Sequence, residues 1–145
     1  MYMNDFKPNS SSISDCMAAV QEARKKFGIN EDKIVTSVDE EITRAQQSLE
    51  TRNIPQGFKK WQLPVTLSGP EVFLFVTVGP PNEKVPRHSH DEGAGIRFIA
   101  TGSIIYDGKK LGSGDWMYIP AGKEYEFQVG PLGALMCYCY CCCCA

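Results

Sequence analysis

The sequence predicts an all-β protein, an antiparallel barrel preceded by an N-terminal extension of two short helices. Three observations predict it. After Pro55, proline and glycine punctuate short runs rich in β-branched and aromatic residues. Before Pro55, apolar residues recur at helical spacing instead. Asp107-Gly108, between Ile105 and Lys109, is a two-residue hairpin signal. The expected organisation is a helical extension over 1–54, a β-barrel over 55–140 and a cysteine-rich tail over 141–145.

In the extension, residues 14–27 form the first expected helix. Met17, Val20, Ala23 and Phe27 fall near one face, and Gly28 is placed to stop it. The second is signalled by Ser37-Val38-Asp39-Glu40, which reads as a capping box. Val38, Ile42, Ala45 and Leu49 then recur as one apolar stripe that fades near Arg52, before Pro55. Strands are expected at 58–63, 72–78, 87–90, 96–100, 103–106, 109–111, 116–119, 125–129 and 134–140.

Composition narrows the function classes. A chain of 145 residues fits one ordinary domain and can bury a core without staples. A net charge of -2, with thinly spread lysine and arginine, lacks the basic face a nucleic-acid partner needs. The first 14 residues carry no apolar signal region, and no run approaches the roughly 18 apolar residues that span a bilayer. A cytoplasmic protein without a membrane partner is expected.

The chemistry centres on His88-Ser89-His90. On a strand, residues two apart share a face, so both imidazoles can converge on one ion. These are the only two histidines in the chain. The bland alternative is a pair of surface histidines on a charged loop.

Context around that pair resembles the cupin superfamily. His88-x-His90 is followed at the family's distance by Gly102, and Gly114-Asp115-Trp116-Met117-Tyr118-Ile119-Pro120-Ala121-Gly122 keeps the second motif's G-x5-P-x-G intact. The resemblance covers roughly residues 60–140 and implies a jelly-roll barrel. It also implies a divalent transition metal (iron, manganese, zinc or nickel) and, by analogy, a homodimer. Two of the family's four ligand positions depart from the pattern: its glutamate falls on Gly95 and its second-motif histidine on Tyr125.

Three readings therefore stand side by side. A metal is held by His88, His90 and a substitute, Glu92 or Asp91 as carboxylate or Tyr125 as phenol. Alternatively the barrel binds a small molecule without metal, or the histidines decorate a structural barrel. Tyr125, at the vacated histidine position, is the candidate general acid or base. Arg97 shares Gly95's inward parity and would anchor an anionic ligand, unless the register slips by one and it faces solvent. Met117, on the second-motif strand, is a further pocket candidate.

Six of the seven cysteines crowd positions 137–144. Cys137 and Cys139 suit a closing strand, as small buried hydrophobes. Cys141 to Cys144 exceed what a strand needs. They allow soft-ion binding, a poor C-a-a-X box, a modified-peptide core or an end without a role.

Overall fold

The computed structural model describes residues 11–51, 61–67, 73–91 and 93–140, with only the backbone for Phe73, Phe75 and Tyr140. The expectations for 58–60, Glu92 and the tail 141–145 lie outside the described residues. The chain divides into two compact units. One carries both helices; the other carries residues 31–39 and all the strands.

In the helical unit, α1 spans Ile13–Phe27. Ser12 caps it by accepting from the Asp15 amide, and the Asp15 carboxylate reaches back to the Ser12 amide. Gly28 closes it at φ 67°, a left-handed conformation that costs other residues a Cβ clash, and donates to the Arg24 and Lys25 carbonyls. Val20 and Ala23 are buried, but Met17 is half exposed, so the apolar face is narrower than its spacing suggests. The second helix, α2, runs Glu40–Ser48 and packs on α1 through a face that includes buried Ile42 and Ala45.

α2 starts at Glu40, two residues later than Ser37 as its cap would set it. The Ser37 hydroxyl donates to the Asp115 carboxylate at 2.8 Å and accepts from the Trp116 amide at 3.0 Å. These partners lie 78 and 79 residues away along the chain. The reason lies in β1, Val35–Thr36, a two-residue strand too short to show in the sequence. It pairs with β6, Trp116–Ile119, and delivers Ser37 to that strand's start.

The remaining strands are β2 (Phe73–Gly79), β3 (Lys84–His88), β4 (Gly95–Tyr106), β5 (Lys109–Gly112) and β7 (Tyr125–Tyr140). All pairings are antiparallel, in the order β1-β6-β4-β7-β2, with β3 also on β7 and β5 also on β4. The architecture is thus all-β and antiparallel with two short helices, as the sequence predicts, except that β1 falls between the helices instead of after them. Two pairs of expected strands are fused. The first pair, 96–100 with 103–106, is the single strand β4; the second, 125–129 with 134–140, is the single strand β7.

The fusion has a geometric cause. β4 absorbs Thr101-Gly102 through register shifts against β7 instead of ending there. Gly102 sits at φ 76°, and a Cβ on it would collide with the Gly133 carbonyl. The two glycines allow the strands to touch where both bend. β7 pairs with β4 along one edge. Along the other it pairs with β3 near Tyr125 and with β2 towards Tyr140.

The inner face carries the core: Ile99, Ile104, Leu111, Met117, Ile119, Phe127, Val129 and Met136 are at most 5% exposed. The outer side of β2 is open, with Leu74, Val76 and Val78 at 68%, 68% and 76% exposure. Ile104→Ala is therefore expected to cost about 2–5 kcal/mol, while Val76→Thr stays within about 0.5 kcal/mol. Urea unfolding of the two variants measures both.

Candidate functional site

His88 is the last residue of β3, and His90 lies two residues beyond it, off the strand. The rings nevertheless stay together, with centroids 5.1 Å apart in an edge-to-face arrangement. Two contacts hold this corner. His88 pairs in register with Tyr125, and the Gly122 amide donates to the His90 carbonyl at 2.9 Å. An exposed ion pair, Arg87 to Glu124 at 2.8 Å, joins the residues preceding His88 and Tyr125.

Tyr125 is 3% exposed and stands among the candidate residues. Its ring centroid is 4.6 Å from that of His88 and 6.2 Å from that of His90. Its hydroxyl is 3.4 Å from His90 Nε2 and accepts from Arg97 Nη2 at 3.4 Å. Arg97 faces inward, 7% exposed, as the alternation from Gly95 predicts; it does not face solvent. Met117 is its cross-strand partner on β6 and Tyr138 on β7.

The guanidinium is held by rings rather than by a counter-charge. Its carbon lies 4.5 Å from the Tyr138 centroid and 5.0 Å from the Phe127 centroid. Nη1 meets only the weak acceptor Met136 Sδ, at 3.8 Å. Nε is buried and has no hydrogen-bond partner among the described residues. No ion pair involves Arg97 among the described residues either. A buried cation in that state is costly unless an anion completes it.

Burial, then the neighbouring His88 and Arg97, hold the His90 imidazole below its usual range, so it favours the neutral form. His88 Nδ1 lies 2.7 Å from the Pro86 carbonyl, which can only accept. Nδ1 must then carry the proton, and in the neutral ring Nε2 keeps its lone pair.

A divalent metal needs more donors than these. Among the described residues no group of three His, Cys, Asp or Glu side chains gathers. The position that would hold a glutamate is Gly95, and its space is taken. A Cβ there would sit 2.5 Å from the Tyr138 hydroxyl and 2.6 Å from its ring. A permanent cation, Arg97, also touches the phenol that would have to ligate. The described residues alone do not fit a divalent cage; Glu92, the expected carboxylate ligand, is outside them.

Tyr138 is the residue that sequence reasoning missed. Its sequence context marks it only as part of a closing strand, yet it stacks on Arg97, fills the space over Gly95 and has its ring centroid 5.6 Å from that of His90. The available signal was its parity: Met136 and Tyr138 alternate with Cys137 and Cys139.

No family model matches the chain, and no curated relative matches it. Solved structures do. KdgF from Halomonas sp. is 14% identical, with a TM-score of 0.46 over 52% of this chain and 74% of its own. An RmlC-like cupin from Shewanella frigidimarina is 18% identical, with a TM-score of 0.43 over 48% and 65%. Salicylate 1,2-dioxygenase from Pseudoaminobacter salicylatoxidans, solved with gentisate, is 11% identical, with a TM-score of 0.42 over 90% of this chain and 32% of its own.

Gly95→Ala is expected to cost roughly 1–3 kcal/mol through overpacking against Tyr138. The cost should shrink in a Tyr138→Leu background, giving a coupling of at least about 0.5 kcal/mol in a double-mutant cycle.

Proposed function

We propose that this chain is a cupin-type barrel that binds a small anionic molecule, its carboxylate or equivalent anion paired with Arg97. The observation that carries this reading is the buried guanidinium whose Nε has no acceptor among the described residues. A planar anion accepting from Nε and one Nη would supply the missing partner. The Tyr125 hydroxyl, already within reach of Arg97 and His90, would take a second oxygen of the ligand. Met117, fully buried beside Arg97, would bound the ligand's apolar part. A homodimer in the cytoplasm belongs to the same proposal.

If the barrel turns its ligand over, Tyr125 would be the proton-exchanging group. Its hydroxyl touches both a guanidinium and an imidazole through which a proton could pass. A purely binding barrel uses the same contacts without that step.

A second reading, a metal-dependent enzyme, is favoured by one observation. His88 donates from Nδ1 to a backbone carbonyl, an arrangement that orients metal-ligating histidines. His88 and His90 would be two ligands, and Glu92 would have to supply the carboxylate. Iron, manganese, zinc and nickel are all compatible with such a donor set.

Arg97→Met separates binding from folding. Removing an unpaired buried cation is expected to leave thermal stability unchanged or raised by about 1–4 kcal/mol. The same variant should weaken calorimetric binding of short carboxylates (acetate, pyruvate, benzoate) at least about tenfold, for loss of a charged hydrogen bond. Unchanged affinity, or no carboxylate binding by the parent protein, would overturn the anion reading.

Elemental analysis of protein purified without a polyhistidine tag tests the second reading. A stoichiometric transition metal, lost in His88→Ala/His90→Ala, is the outcome that would replace the first reading by the second. Absence of metal from both proteins is the expected result.

A further inference from the structure

The strand that supplies Tyr125 and Tyr138 to the interior carries a different chemistry on its other face. Cys137 and Cys139 alternate with the buried Met136 and Tyr138, so their thiols lie on the outer side of β7. Both are free and half-buried. Their register partners are apolar throughout: Val76 and Phe98 flank Cys137, and Leu74 and Ile96 flank Cys139. No carboxylate, amide or imidazole is among these partners. The surface stays open to solvent, with Leu74 and Val76 each 68% exposed. Four more cysteines, Cys141 to Cys144, follow directly in the sequence.

Such a face discriminates between cations. Hard ions need several oxygen ligands, and none of these register partners carries one on its side chain. Zinc prefers four donors in a tetrahedron, and the strand offers two. A thiolate pair on an apolar ground suits a soft ion of low coordination number. We infer that the outer face of β7 is a binding site for a thiophilic monovalent cation of the Cu(I) class, with Cys137 and Cys139 as its thiolate ligands.

Strand geometry permits it. Residues two apart on a strand are separated by about 6.8 Å, with parallel Cβ directions. Two metal–sulfur bonds of about 2.3 Å span roughly 4.6 Å, which both side chains meet by leaning toward each other. The same separation is at the outer limit for a disulfide, which disfavours direct oxidation of the pair. On binding, each thiol gives its proton to solvent and the ion keeps its oxidation state. The site shares no ligand with the Arg97 cluster and does not depend on the function proposed for it.

The test uses the full chain, reduced and free of oxygen, competing for Cu(I) against the chromophoric chelator bicinchoninate. The parent protein should withdraw Cu(I) from the chelator. Cys137→Ser/Cys139→Ser should weaken it by more than the ~10–100-fold typical of changes around a metal's own ligands. Serine at 141–144 should leave the strand pair's affinity in place. Failure of the parent protein to compete, or parent-like affinity in the Cys137→Ser/Cys139→Ser variant, would overturn the site. Equal affinity for Zn(II) would overturn its class. A readout without mutation guards against misfolding: Cu(I) should protect the Cys137 and Cys139 peptides from alkylation, as read by mass spectrometry. Labelling of both at the metal-free rate also overturns the proposal.

Discussion

The antiparallel ladder between β4 and β7 is the constraint on which the molecule depends. It joins the two longest strands and brings Arg97 opposite Tyr138, Ile99 opposite Met136 and Ile104 opposite Val129. Every other strand except β1 is attached to one of these two. Because side chains alternate, one register decides both surfaces. It sends Arg97, Met136 and Tyr138 inward and leaves Phe98, Cys137 and Cys139 outward. The ring cradle around the guanidinium is a by-product of that pairing, since Phe127 and Tyr138 come from the two halves of the same bent strand.

A buried arginine held by two aromatic faces and a thioether is poorly compensated for the water it has given up. Stacking on two rings offsets part of the several kcal/mol that desolvating a charge demands, at about 2 kcal/mol per desolvated ring, but supplies no counter-charge. Folding alone gives no reason to keep such a residue at a position where methionine would fit. Under the proposed anion-binding reading, that stability is given up to hold a ligand's counter-charge ready. The neutral tendency of His90 fits the same electrostatics: burial, then His88 and Arg97, disfavour its cation, so this imidazole joins the cluster as a polar group rather than as a charge.

Much of this was legible in the sequence because its signals were local or periodic. Gly28 ends a helix, Asp107-Gly108 turns a hairpin, and the alternation from Gly95 sends Arg97 inward. The misreadings share a different origin, namely partners distant along the chain. Ser37 looked like a cap, yet bonds Asp115, 78 residues on. The breaks expected near Gly102 and Gly130 are bends, because a neighbouring strand supplies hydrogen bonds on both sides of each. Gly95 read as a missing ligand, while in space it is the clearance that admits the Tyr138 ring. A vacancy in a motif and a contact in the fold look identical until the opposing strand is known.

The register shifts in β4 have one more implication. Inward positions are odd-numbered from Gly95 to Ile99, but even-numbered at Ile104; on β7 they run odd from Tyr125 to Val129 and even from Ala134 to Tyr138. Each strand therefore changes phase once, and the two changes face each other across Gly102 and Gly133. Losing or gaining a single residue in only one of these bends would put half the lining on the outside. Lineages of this barrel should accordingly hold the length of both bends as closely as they hold Gly102 and Gly133, and any indel that survives should come with a matching one across the ladder.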